Sequence, residues 1–95
     1  MLRFTLLLGL VVGCTPPPPH ATTSDAIRAN LALAQLETGR SLLVHRCSGC
    51  HTTPLPSAHT AAEWPARLDE MAARSNLDRR QRQAIEQYLT TMARR

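Results

Sequence analysis

Cys47, Cys50 and His51 are the residues of this chain whose types and spacing point to chemistry, standing together as Cys47-Ser48-Gly49-Cys50-His51. Two thiols on one helical turn can reach one edge of a flat macrocycle, and the imidazole that follows directly swings beneath its centre. This is the C-x-x-C-H pattern of covalent haem attachment: two thioethers from Cys47 and Cys50, and His51 as an axial iron ligand. Other uses of paired cysteines explain less of it. A zinc ribbon needs a second pair of ligands, a thioredoxin-like pair needs a βαβ setting, and a plain disulfide leaves His51 without a role. One haem c with its iron is the expected cofactor.

Composition sets the frame for that site. The 95 residues are 43% hydrophobic but only 3% aromatic. Removal of an N-terminal export signal would leave about 80 residues, a length at which a modest core gains from a staple such as a metal or cofactor. A large two-domain enzyme is excluded, and a covalently held macrocycle would supply the packing volume that aromatics do not. The formal charge is +4, from eleven arginines and seven acids with no lysine. Arg28, Arg40, Arg46, Arg67 and Arg74 are scattered, and only Arg79, Arg80 and Arg82 and the terminal Arg94 and Arg95 cluster. No aromatics interleave them, so they read as solvated helix faces, and no nucleic-acid partner is expected.

The first residues give the compartment. Arg3 precedes an apolar run over 4–12, then Gly13 and Cys14. The run is too short to span a bilayer, and its order of charge, apolar stretch and small-residue cut is that of an export signal. The small residues before Cys14 resemble the lipobox of bacterial lipoproteins; an ordinary signal peptide with an incidental cysteine is the plainer alternative. The resemblance implies cleavage before Cys14, lipidation of Cys14, and a periplasmic protein anchored to the inner or outer membrane. The proline and hydroxyl residues over 15–24 read as an extended spacer. The expected organisation is a signal peptide over 1–13, lipidated Cys14 and a proline-rich linker over 14–24, and a haem domain over 25–95.

Four helical stretches can be read, and no stretch alternates like a strand. The first covers 25–37, with Ile27, Leu31 and Ala34 on one face; the second covers 40–46 and runs into the motif. The third covers 60–75 behind a Thr60-Ala61-Ala62-Glu63 capping box. The fourth runs from 76 or 77 to 93, with Ile85, Tyr88, Leu89 and Met92 at helical spacing. The expected fold class is all-α.

The motif, Gly39 in Thr38-Gly39-Arg40-Ser41-Leu42-Leu43-Val44, Pro54 and Pro56 after it, and Ile85-Glu86-Gln87-Tyr88-Leu89 near the end resemble the small mono-haem c-type cytochromes of bacterial periplasms. The likeness covers about 37–89. It implies the class I helical fold, in which an N-terminal helix carrying a glycine crosses a C-terminal helix carrying an aromatic. The residues allow this: glycine lets two helix axes approach, and tyrosine offers a broad face to cover the gap. Equally, Gly39 could simply break one helix from the next. Pro54 and Pro56 either stop a helix or supply a carbonyl that accepts the ring N–H of His51.

The sixth iron ligand is open on sequence grounds. Trp64, Leu68 and Met71 share one helical face. Met71 is the first candidate: it leaves enough chain after His51 to pass the haem edge, and it precedes the last helix as the family's methionine does. His59 is the rival, with Met92 or a water as further possibilities and Met71 as core filler the bland reading. His20 and His45 are expected to face solvent. Trp64 is expected against the haem or the helix crossing, its indole N–H able to meet a propionate, and Arg67 and Arg74 are either propionate partners or surface charges.

A haem with histidine and methionine ligands has no open position for substrate, which makes a single-electron carrier the first functional expectation and an enzyme the least supported. Its partners would be periplasmic or membrane redox proteins carrying an acidic patch. The alternative is a haem-based small-gas binding or sensing protein with an open or labile distal side.

Overall fold

The computed structural model describes residues 16–47 and 53–95; Cys14, Cys50 and His51 lie outside the described residues. Helix α1 spans Thr23–Ala29, α2 Leu33–Cys47, α3 Trp64–Ser75 and α4 Arg79–Met92, with a single 3-10 turn at Pro56–Ala58 before α3. The described residues contain no strand, only an isolated bridge between Thr60 and Arg94. The fold is all-α, and no described helix is long and apolar enough to cross a membrane.

The helix boundaries follow local chemistry that partly corrects the sequence reading. The stretch over 25–37 is two helices. Thr22 and Asp25 form a reciprocal capping box that starts α1 two residues early. Asn30, at φ 55°, ends it in the left-handed conformation that asparagine tolerates. Ile27, Leu31 and Ala34 therefore form no common buried face: Ile27 is 75% exposed, Ala34 is exposed and Leu31 is partly covered. A second box, Asp78 with Gln81, starts α4 at Arg79. In the expected box at the third helix, the Glu63 carboxylate accepts from the Thr60 backbone N–H at 3.1 Å, but the helix proper begins only at Trp64, with Pro65 in its first turn.

The break assigned as one option to Gly39 is absent. Gly39 sits inside α2, between the buried Leu36 and Leu43. There α2 crosses α4, the principal contact of the fold. A β-carbon on Gly39 would overlap the Ala84 carbonyl oxygen and stand 2.8 Å from the Tyr88 β-carbon. No side chain fits, so the approach of the two helices depends on glycine. Around the crossing, Leu43, Trp64, Leu68, Ile85, Tyr88 and Leu89 form the main core, and Ala21, Ala26 and Leu36 form a smaller one. Met92 packs against both clusters.

The segment expected to be a free spacer is fastened at its C-terminal end. Pro18 is buried, and its carbonyl accepts from Arg40 Nε at 2.9 Å. The Pro19 carbonyl accepts from the Tyr88 hydroxyl. Glu37 then takes the Ala21 backbone N–H at 2.9 Å and His20 Nδ1 at 3.0 Å. Residues 18–21 thus form a strap laid over the α2–α4 crossing. Burial pushes the Tyr88 phenol up to about 12, so it remains a hydrogen-bond donor to the strap across the neutral range.

Two outcomes follow. Gly39→Ala should destabilise the folded protein by about 2–3 kcal/mol, because overpacking at a fixed crossing outweighs alanine's better helix propensity; the midpoint of thermal unfolding should fall by roughly 10 °C. The His20 and Ala21 hydrogen bonds hold the Glu37 carboxyl below its ordinary value of 4.5. A depressed carboxylate stabilises above its unfolded value and loses that contribution as pH falls through the folded one. The hydrogen-exchange protection of the Ala21 amide, measured by NMR, should accordingly be full at neutral pH and decline below 4.5.

Candidate functional site

Cys47 is the last residue of α2 and the one motif residue among those described. It is half-buried and packs against the main core, as do the partly covered Leu42 and Leu77. Helix α2 delivers it there because Leu36, Gly39 and Leu43 recur at helical spacing toward α4, and Cys47 continues that stripe one turn further. Burial pushes the thiol above its ordinary value, and the Ser75 hydroxyl and Arg46 charge only partly offset this. Cys47 is thus a protonated thiol on an apolar edge, a setting that disfavours the thiolate a metal cation requires.

Arg46 holds the corner between α3 and α4 against this end of α2. Its guanidinium donates to the Ser75 and Asn76 carbonyls at 3.2 Å each, a favourable place for a cation at a helix C-terminus. Asn76, at φ 52°, is the left-handed cap that lets the chain turn there. The end of the bundle at Cys47 therefore gathers the C-terminus of α2, the C-terminus of α3 and the start of α4. Arg46, Arg74, Asp78 and Arg79 are exposed there, while Arg80 lines a groove with Gln35 and Thr38.

The three ligand candidates occupy different places. Met71 is half-buried on α3, one turn before Ser75, on the stripe whose earlier members Trp64 and Leu68 are fully buried. Met92 lies at the opposite end of α4 and is taken up in packing against both core clusters. His59 also lies at that far end: its carbonyl accepts from the Arg94 backbone N–H at 3.1 Å. Its ring stands edge-on to Trp64 with centroids 4.9 Å apart, and Nδ1 is 3.6 Å from the Glu63 carboxylate. Of the three, Met71 alone shares the Cys47 end.

Trp64 does not have the hydrogen bond expected of it. Its buried indole N–H donates to the Pro56 carbonyl at 3.0 Å, so that proton is not available to a propionate. The same bond uses the Pro56 carbonyl, one of two proposed for the ring of His51. The indole instead clamps the 3-10 turn onto the start of α3. Arg67 is half-exposed and 3.9 Å from Glu70, Arg74 is exposed in the last turn of α3, and His20 and His45 face solvent as expected. Sequence reasoning missed Glu37, Arg40 and the Tyr88 hydroxyl as holders of the strap. A tyrosine needing a partner when buried was the available signal.

No family model, curated protein or solved structure matches the chain. What the described residues define is a small all-α domain with a cysteine at the end of its central helix.

Trp64→Phe keeps the ring but leaves the Pro56 carbonyl without its donor. The expected cost is about 2 kcal/mol, read from urea unfolding, whereas Arg67→Gln on the exposed face of the same helix should stay within about 0.5 kcal/mol.

Proposed function

We propose that the protein is a membrane-tethered, periplasmic mono-haem c-type cytochrome that carries single electrons between redox partners. The observation that supports this most is the motif at 47–51, whose first cysteine closes α2 at the edge of an apolar core. Cys47, Leu42 and Leu77 all pack against the apolar core, a setting that supports a flat macrocycle held at this end. Cys47 and Cys50 would hold the haem covalently, and His51 and Met71 would hold its iron. Such a haem, held by His51 and Met71, would supply one-electron transfer rather than a site for a substrate.

The chain's own part is positional. Gly39 lets α2 and α4 close, which fixes the end of α2 and the direction in which Cys47 leaves it. Arg46 ties the α3–α4 corner to the same end, keeping Met71 within one turn of the Ser75 hydroxyl at the Cys47 thiol. Trp64 and Leu68 anchor the α3 face that carries Met71. The exposed Arg46, Arg74 and Arg79, against the single acid Asp78, give that end a positive field, which suits an acidic partner and makes association salt-dependent.

The test is an absorption spectrum of the protein matured with cytochrome c assembly machinery, alongside Met71→Ala and His59→Ala. The expected result is covalent haem, with the weak far-red band of an iron–methionine bond lost in Met71→Ala and kept in His59→Ala. Absence of the band in the wild type, with ready carbon monoxide binding when reduced, would replace the carrier by a small-gas binding protein. Absence of covalent haem would overturn both.

A further inference from the structure

Helix α3 is held unevenly along its length. Trp64 and Leu68 are fully buried and fix its first turns. After Leu68 no residue of α3 is buried: Met71, Ala72 and Ser75 are partly covered and the others are exposed. Helix α3 also touches α2 far less than α4 does. A helix end with few buried apolar contacts and solvent-exposed hydrogen bonds belongs to the part of a fold that opens first.

What holds that end is largely polar. The Asn76 and Leu77 backbone N–H groups donate to the Ala72 carbonyl, the second at 3.3 Å. The Ser75 and Asn76 carbonyls, left over at the helix C-terminus, accept from Arg46 Nη2 at 3.2 Å each. Helix α4 does not share this dependence: Asp78 and Gln81 cap its start, and Ile85, Tyr88 and Leu89 sit in the main core. The connection at 76–78 can therefore give way without unravelling α4. Arg46 directly precedes Cys47, and Met71 lies one turn before Ser75. One side chain thus ties the end of α2 that carries the first thiol to the end of α3 that carries the ligand candidate.

We infer that Arg46 is a positioning residue that latches the end of α3, and that its release lets the stretch from Met71 to Leu77 open while the α2–α4 core stays closed. In the proposed cytochrome that opening withdraws Met71 from the iron. The latch then sets how readily a closed electron carrier exposes an axial position to a small ligand, which decides between the two functional readings of the motif. The latch itself rests on the corner alone; its effect at the iron rests on the proposed function.

The test compares the wild type with Arg46→Gln, Arg46→Lys and Arg67→Gln, each as the full chain matured with cytochrome c assembly machinery. Hydrogen exchange followed by NMR in the reduced state reports the corner at the Asn76 and Leu77 amides and the core at the Tyr88 and Leu89 amides. In Arg46→Gln, exchange at 76 and 77 should quicken roughly tenfold, as loss of a charged donor predicts, with 88 and 89 unchanged. Imidazole added to the oxidised protein occupies only iron that Met71 has left. Its half-saturating concentration should fall by about the same factor, since a more populated open state raises apparent affinity in proportion. Arg46→Lys keeps a charged donor and should recover part of both effects. Arg67→Gln makes the same charge change elsewhere on α3 and should move neither. Unchanged exchange at 76 and 77 would overturn the latch, as would an equal rise at 88 and 89, which marks lost stability throughout the domain. Faster exchange at the corner with unaltered imidazole affinity would overturn the positioning role. A wild-type spectrum without covalent haem or without the methionine band is a failure of the proposed function and removes the effect at the iron. The amide rates of the same chains then still uphold or overturn the latch.

Discussion

Everything in this small protein depends on the close approach of α2 and α4 at Gly39. The separation of those helices is set by backbone against backbone, since a β-carbon at Gly39 would overlap the Ala84 carbonyl. Because the helices touch there, Leu43 on one side and Ile85, Tyr88 and Leu89 on the other close into one core. A chain with one tryptophan, one tyrosine and one phenylalanine has little large volume with which to fill a wider gap. Close packing of a narrow crossing is the solution available to such a composition, and it makes the crossing the place where added volume does most harm.

The crossing also explains the strap. Tyr88 covers the gap with its ring, yet its hydroxyl requires a partner once buried. The Pro19 carbonyl provides it. A proline-rich segment suits that role because it is already extended, loses little chain entropy on docking, and leaves its carbonyls free to accept. Arg40 and Glu37, one on each side of Gly39 on α2, then fix Pro18 and Ala21. Three side chains thus convert the end of a linker into part of the fold.

Much of this was legible in the sequence, and the failures have physical causes. The all-α class and the stripe Ile85, Tyr88 and Leu89 followed from periodicity, whereas the contact of Gly39 with Tyr88 stood level with a helix break at the same glycine until the Ala84 carbonyl decided between them. The break at Asn30 did not, because Ile27, Leu31 and Ala34 continue a helical pattern across it, and only the Thr22–Asp25 box and an asparagine able to adopt positive φ mark two helices. The strap was missed for a different reason. A proline run signals extension but not what the extended chain lies against, and the residues that hold it are 16 to 69 positions away in sequence. At the candidate site, the Trp64 bond to Pro56 was hidden likewise, since sequence shows that an indole needs an acceptor without showing which carbonyl a turn will offer.

The arrangement of the ligand candidates follows from the senses of the helices. Helix α4 runs opposite to α2: its start meets the α3 corner held by Arg46, and its last turn meets Arg28 of α1. Helix α3 also runs opposite to α4, since its end joins the start of α4 at the Asn76 corner, while His59 and Thr60 before it meet Arg94 after α4. Position along a helix therefore translates into height in the bundle, and the two methionines separate. Met71, close to the end of α3, lies toward Cys47; Met92, close to the end of α4, lies toward the opposite face among Ala21, Ala26 and Leu36. Spacing from His51 along the chain could not make that distinction. Helix direction makes it, and helix direction is fixed by the short Asn76 corner acting on one glycine crossing.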